Sequence, residues 1–328
     1  MATKKRILSG MRPTGPLHIG NLLGALGNWL KMQERYDCFF FVADWHAMTS
    51  SYEDTNNIRE YVKNIMIDWL SVGLSPEKCT LFVQSEIPEH TELFLILSMI
   101  TPVPWLERNP TYKEQIVQLE NKDVSTFGFL GYPVLQAADI IMYKANGVPV
   151  GIDQVPHVEI TREIARRFNY LYGNTFPEPE AILTQNPKIL GWDRRKMSKS
   201  YNNAIYLSDN PKEITSKVSK MVTDPNRPRK TDPGNPDICN VFNFHKIYTD
   251  SDIVENINLT CRTAEIGCVE CKKIMGENLI KALEPIYKQR DYYEKHPDIV
   301  DDIIVQGRQK ARQVAQQTME EVRTAVKI

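Results

Sequence analysis

The sequence predicts an α/β fold: a doubly wound parallel sheet in the first part of the chain, followed by a second, all-helical domain. Two observations carry this. Short apolar runs alternate with amphipathic stretches through the first half, and after about Ser208 a Pro-rich stretch gives way to helical patterns that run to the end. Short buried strands alternating with helices are the signature of a parallel sheet covered on both faces.

Taken in order, Ile7-Leu8 forms the first strand, and Leu22, Leu23, Leu26, Trp29 and Leu30 put one apolar face on a helix from about Ile19. Cys38-Phe39-Phe40-Phe41-Val42-Ala43 is the second strand, with a helix near Asn57 to Leu70. Leu81-Phe82-Val83 is the third, with a helix from about Glu89. Asp224-Pro225-Asn226-Arg227-Pro228 and Asp232-Pro233-Gly234-Asn235-Pro236 form a hinge. Beyond it, Glu277 to Tyr293 and Asp301 to Val326 mix apolar positions with i, i+4 charge pairs, as surface helices do. The expected division is an α/β domain over 1–208 and a helical domain over 209–328, whose last helix is free to pack back on the first. Neither internal repeats nor low-complexity segments interrupt this pattern.

With 328 residues, 42% hydrophobic and 25% charged, the chain has the composition of a soluble protein with real cores. No run approaches a membrane span of about 18 apolar residues, and Met1 to Gly10 lacks the apolar stretch of a secretory leader, so a cytoplasmic location is expected. The net charge of −1 hides an asymmetry: Asn186 to Lys230 holds 11 Lys/Arg against 4 Asp/Glu. Such a basic stretch suits triphosphate and RNA backbone, and Lys217, Lys220, Arg227, Arg229 and Lys230 are the candidates for tracking the latter.

Two short motifs carry the chemistry. Pro13-Thr14-Gly15-Pro16-Leu17-His18-Ile19-Gly20-Asn21 follows the first strand and opens the first helix. Unpaired N–H groups of a first helical turn suit an anion, Gly20 permits close approach to the backbone, and His18 is placed to donate to phosphates. Lys196-Met197-Ser198-Lys199-Ser200 sets two ammonium groups three residues apart, suited to a departing pyrophosphate. Together, in this order, they resemble the HIGH and KMSKS signatures of class I aminoacyl-tRNA synthetases. The first signature often ends in a second histidine; here that position is Asn21, which still donates a hydrogen bond.

The middle of the chain narrows the resemblance. Tyr132-Pro133-Val134-Leu135-Gln136-Ala137-Ala138-Asp139-Ile140 and Val150-Gly151-Ile152-Asp153-Gln154 look like the amino-acid pocket of the tryptophanyl branch, and the similarity runs from about Ile7 to Val326. The resemblance implies a Rossmann-like catalytic domain that activates L-tryptophan with ATP and Mg²⁺ and passes it to the tryptophan tRNA, in a homodimer. It implies that Asp139 accepts the indole N–H, that Tyr132 and Gln154 hold the substrate ammonium group, and that Gln136 belongs to the same pocket. His46 flanks the indole by the same resemblance, the alternative being a core histidine bonded to backbone. ATP contacts fall to Arg12, Pro13, Thr14, His18, Gly20, Asn21, Gly151, Ile152, Asp153 and the whole segment Lys196, Met197, Ser198, Lys199, Ser200; His18, Lys196 and Lys199 are the catalytic set. Lys113 is a weaker candidate for a phosphate contact.

A buried carboxylate is costly unless partnered, so a pocket built on Asp139 is expected to reward an N–H and to leave the acid unsatisfied against phenylalanine. Discrimination of this kind reaches about 10⁴ to 10⁵ without editing, and no insertion is large enough for an editing domain. The tyrosyl branch is the nearest rival. Its relatives of this type carry a tyrosine two residues before Gly10 to bind the phenol oxygen, where this chain has Leu8. A small-metabolite nucleotidyltransferase and a non-enzymatic RNA-binding paralogue are further readings, discriminated by tryptophan-dependent exchange of pyrophosphate into ATP.

Four of the six cysteines, Cys239, Cys261, Cys268 and Cys271, form C-x21-C-x6-C-x2-C inside the helical domain. Four thiolates at one point imply a metal. A subset of tryptophanyl enzymes resembles this arrangement and holds a [4Fe–4S] cluster there; zinc is the alternative, although only one C-x2-C pair is present.

Overall fold

The computed structural model describes residues 4–118, 124–184 and 189–328. The start of the basic stretch, Asn186 to Lys188, lies outside them. The chain divides into two compact units. The first comprises Met1–Thr14, Ala25–Asn186 and His296–Ile328; the second comprises Gly15–Gly24 and Pro187–Lys295. The chain enters the second unit twice and returns to the first for its last helix.

In the first unit five strands form an all-parallel sheet in the order β3-β2-β1-β4-β5, with β1 at Arg6–Met11, β2 at Asp37–Val42, β3 at Cys79–Val83, β4 at Gly147–Val150 and β5 at Glu180–Leu183. The first three strands lie on the apolar runs of the sequence. The last two are four residues each, and β4 reads Gly-Val-Pro-Val, too short and too broken to announce a strand. Leu8 pairs in register with Phe39 and Gly10 with Phe41. The aromatic residues of β2 fill both faces: Trp29 stacks on Phe40 at 4.4 Å, while Phe39 meets Tyr143 at 5.1 Å.

The strand order reverses between β1 and β4, and ligands of open α/β sheets bind beyond the carboxyl ends of strands at such a switch point. Helix Phe127–Met142 precedes β4 and helix Val155–Tyr172 follows it. Helix Pro297–Val326 packs against β3 so closely that a Cβ on Gly307 would stand 1.7 Å from the Leu81 carbonyl oxygen.

The second unit is mainly helical. Pro211–Ser219 is capped by Asn210, whose side chain accepts from the backbone N–H groups of Lys212 and Glu213. Asn240–Tyr248, Ser251–Arg262 and Cys268–Lys295 follow. The last is longer than the periodicity from Glu277 suggests and runs through Pro285. Among the described residues no helix is long and apolar enough to cross a membrane.

Candidate active site

At the switch point of the first unit lies a cavity of about 210 Å³, lined by Leu8, Ser9 and Gly10 of β1, Phe41 of β2, Gln136, Asp139 and Ile140 from helix Phe127–Met142, and Val148 to Gly151 with Gln154 around the end of β4. Gly10 is required where it stands, because a Cβ there would fall 2.5 Å from the Phe41 ring. The cavity thus gathers four of the six residues expected for the amino-acid pocket: Leu8, Gln136, Asp139 and Gln154.

Asp139 is buried and takes donors from three residues. Its Oδ1 accepts from Gln84 Nε2 at 2.8 Å and from His90 Nδ1 at 2.6 Å; its Oδ2 accepts from Gln84 Nε2 at 2.9 Å and from His46 Nε2 at 2.8 Å. Burial alone would raise its pKa, but the hydrogen bonds from His46 and His90 outweigh it and hold the carboxyl below its ordinary value. This corrects the expectation that a ligand without an N–H leaves the acid unsatisfied: the protein itself satisfies it. His46, expected beside an indole or bonded to backbone, turns its imidazole Nε2 to the Asp139 carboxylate.

Tyr132 is also buried, its hydroxyl 3.1 Å from His157 Nε2. Asn109 Oδ1 accepts from Thr111 N, which turns the Asn109 amide nitrogen toward His157 Nδ1 at 3.3 Å. His157 Nδ1 is then an acceptor, and Nε2–H donates to the Tyr132 oxygen. Burial pushes His157 down to about 4, so the ring is neutral at working pH, and burial raises the Tyr132 phenol. Arg12 donates to the Ser50 hydroxyl. Ile152 and Asp153 lie exposed in a short 3₁₀ turn, and the Asp153 carbonyl accepts from Thr111 Oγ1.

In the second unit the two signature motifs, 178 residues apart from His18 to Lys196, are stitched together. Ile19 N donates to Ile205 O at 3.0 Å and Leu207 N to Leu17 O at 2.9 Å, while Lys199 Nζ reaches the Gly15 carbonyl at 2.7 Å. Gly15 has φ +120°, a left-handed conformation that favours glycine. Asn21 works on its own helix end, its Oδ1 accepting from His18 N at 3.0 Å. Among the described residues the His18 Nδ1 is buried without a hydrogen-bond partner, and burial, then the Lys199 charge, lower the ring to about 4. His18 is therefore a neutral hydrogen-bonding group beside a cation. Gly20 has a second use that the sequence did not reveal: a Cβ there would stand 2.9 Å from His18 Nδ1, so glycine makes room for the imidazole.

The lysine segment is held by a residue outside the motif. Asn203, buried, accepts from Ser198 N at 2.8 Å and donates to Asp193 Oδ1 at 2.7 Å and to the Lys196 carbonyl at 3.2 Å. Its side chain occupies the space a Cβ on Gly191 would need, 2.3 Å away. Met197 is buried, and Lys196 and Ser200 are exposed. Nothing in the spacing of Asn203 or Gly191 marked either residue.

The four clustered cysteines come together. Burial, and then repulsion from Cys239, Cys261 and Cys268, push the Cys271 thiol up to about 12. Arg227 is buried beside them, its Nη1 3.7 Å from Cys261 Sγ and 4.0 Å from Cys268 Sγ, while Nη2 donates to the carbonyls of Lys230 and Ile266. Arg227 is thus withdrawn from the surface that was expected to track RNA, and Lys217 is spent on Asp209. Lys220, Arg229 and Lys230 remain exposed. Among the described residues no group of three or more His, Cys, Asp and Glu is arranged to hold a metal ion, so the thiols share a region without standing as a ligand set.

The family described as tRNA synthetases class I (W and Y) matches residues 2–284. A tryptophan–tRNA ligase of Thermotoga maritima is 54% identical over 325 residues, covering 98% of this chain and 99% of that protein. One of Aquifex aeolicus is 46% identical, covering 98% and 100%. The crystal structure of the tryptophanyl-tRNA synthetase of Campylobacter jejuni, complexed with ADP and tryptophan, superposes with a TM-score of 0.92 at 33% identity, covering 98% of this chain and all of that one. With its paired motifs and its cavity at the switch point, the chain belongs to the class I tRNA synthetases of the W and Y type.

Proposed function

We propose that the chain is a tryptophan–tRNA ligase, which joins L-tryptophan to ATP to give tryptophanyl-adenylate and pyrophosphate and then passes the acyl group to the terminal ribose of the tryptophan tRNA. The carrying observation is near-full-length similarity to ligases of that name at 46% and 54% identity. Leu8 in the cavity supports tryptophan over tyrosine, since an aliphatic side chain packs on an indole and offers nothing to a phenol oxygen.

In the first step a carboxylate oxygen of tryptophan bonds to the α-phosphorus as the bond to the β-phosphate oxygen breaks. No general base is needed, and catalysis is positioning and charge stabilisation. We assign the indole N–H to Asp139, and the ammonium and ring contacts to Tyr132, Gln136, Gln154, His46 and Leu8. Adenosine and phosphate contacts go to Arg12, Pro13, Thr14, Gly20, Asn21, Gly151, Ile152, Asp153, Met197, Ser198 and Ser200. His18 donates to the phosphates as a neutral group, while Lys196 and Lys199 meet the leaving pyrophosphate, with Mg²⁺ on the nucleotide. Tryptophan-dependent exchange of pyrophosphate into ATP tests this reading, and Lys199→Ala is expected to slow it by about two orders of magnitude. Folded protein that exchanges with tyrosine and not with tryptophan would overturn it.

We assign the anticodon to the helical region within 209–328, with exposed Lys220, Arg229 and Lys230 on the RNA backbone, in a cytoplasmic homodimer. For Cys239, Cys261, Cys268 and Cys271 we propose a [4Fe–4S] cluster, with zinc as the alternative. The gathering of four cysteines in one region supports it, as does the buried Arg227 cation beside the sulfurs, which matches a site of net negative charge. Anaerobically purified protein is expected to contain about four iron and four sulfide per chain. Stoichiometric zinc would make the site a structural staple, and neither metal would leave four free thiols.

A further inference from the structure

Two groups beneath the amino-acid cavity have no role in the assignments above. His90, in helix Glu89–Ile100, is fully buried; its Nδ1 lies 2.6 Å from Asp139 Oδ1 and its Nε2 lies 2.8 Å from the Tyr143 hydroxyl. Because a carboxylate only accepts, His90 Nδ1 carries the proton of that bond, and Nε2 is left to face the Tyr143 hydroxyl. Tyr143 is fully buried and keeps its proton, since burial and the nearby charges of Asp139 and Glu89 raise its pKa. Its O–H therefore donates to His90, and a one-directional chain runs from Tyr143 through His90 to the Asp139 oxygen. Tyr143 is itself locked by other contacts: its ring packs on Phe39 and Phe82, and its backbone carbonyl accepts from Arg6 Nη1.

We propose that His90, with its tautomer set by Tyr143, is a positioning residue that fixes the Asp139 carboxylate as the specificity group for an indole N–H. The inference rests on the reading that Asp139 accepts that N–H. The carboxylate has a free choice of rotation within its helix, and three donors from three different elements, His46, Gln84 and His90, remove it. Of these, His90 is the one whose own second nitrogen is satisfied by a further buried group, and it does not line the cavity. A group placed behind the ligand-binding atom in this way orients it without touching substrate, as supporting partners do behind other functional side chains.

The test compares tryptophan with 3-(benzothiophen-3-yl)alanine, which keeps the two-ring outline and replaces the N–H by sulfur, in steady-state pyrophosphate exchange. For Tyr143→Phe and His90→Gln the KM for tryptophan is expected to rise about threefold and about tenfold respectively, the scale of one weakened or lost buried hydrogen bond. The change falls on KM rather than kcat, and the KM for the sulfur analogue stays within twofold. A general loss of packing would raise both KM values together and overturn the proposal, as would a Tyr143→Phe enzyme, which keeps the ring and its packing, with an unchanged tryptophan-to-analogue ratio. Asp139→Asn separates this failure from that of the underlying reading. If it leaves the ratio unchanged, Asp139 does not read the N–H and both fall; if it collapses the ratio while His90→Gln and Tyr143→Phe do not, only the positioning role falls.

Discussion

At the scale of single residues, His157 links the pocket to the pH dependence of stability. Burial holds its folded pKa at about 4, below the ordinary 6.5. Between those values the unfolded chain binds a proton that the folded chain refuses. Protons bound in the unfolded state exceed those in the native state, so stability rises with pH across that window and is lost as pH falls from about 6.5 toward about 4. The full effect of one such group is roughly 3 kcal/mol. His157→Gln keeps a donor for Tyr132 and removes the titration, so its unfolding free energy by urea denaturation is expected to fall less steeply than wild type between pH 6.5 and 4. His18 is depressed in the same window and stays in both proteins, so the difference between the slopes belongs to His157. Parallel slopes would mean that the ring is hydrated in the native state.

At the scale of elements, the lysine segment shows how a motif depends on residues outside it. Asn203→Ala leaves Ser198 N and the Lys196 carbonyl without their partner, and Gly191→Ala pushes a methyl group into Asn203. Both variants are expected to slow adenylate formation about ten- to a hundredfold in rapid-quench experiments, with little change in tryptophan affinity, because every residue lining the switch-point cavity proposed for the amino acid lies in the other unit. An unchanged rate for Asn203→Ala would show that the segment holds its shape without that hub. The same elements show what was legible. β1, β2 and β3 announce themselves because buried strands need continuous apolar runs, and the two signatures do so because phosphate chemistry demands particular residue types close together. β4 and β5 do not, being short and paired through backbone groups that any residue supplies. The partners of Asp139 were illegible for a different reason: Gln84, His90 and His46 lie 55, 49 and 93 residues away, and one sequence carries no record of which distant polar groups meet. That same blindness made Arg227 look like an RNA contact when it is buried against sulfur.

At the scale of the whole molecule, the chain completes its first unit last. Helix Pro297–Val326 covers β3 and contributes Val300, Ala311, Ala315, Met319 and Val322 to the core, all fully buried. Arg323 grips Glu92 through two nitrogens at 2.6 and 2.7 Å, and Arg312 Nε meets Glu89 at 3.0 Å. These contributions are unequal. The Arg323 pair is largely exposed, so Arg323→Ala is expected to leave stability close to wild type. Gly307 is another matter, because its missing side chain lets helix backbone rest on strand backbone, and a methyl group 1.7 Å from the Leu81 oxygen forces the helix off the sheet along its length. Overpacking commonly costs about 1 to 3 kcal/mol, and here the obstacle is backbone that cannot rotate away. Gly307→Ala is expected to lower the thermal midpoint by about 5 °C or more in a calorimetric scan, with Arg323→Ala near wild type. Equal shifts for the two variants would mean that charge pairing, rather than close approach to β3, holds the last helix on the first unit.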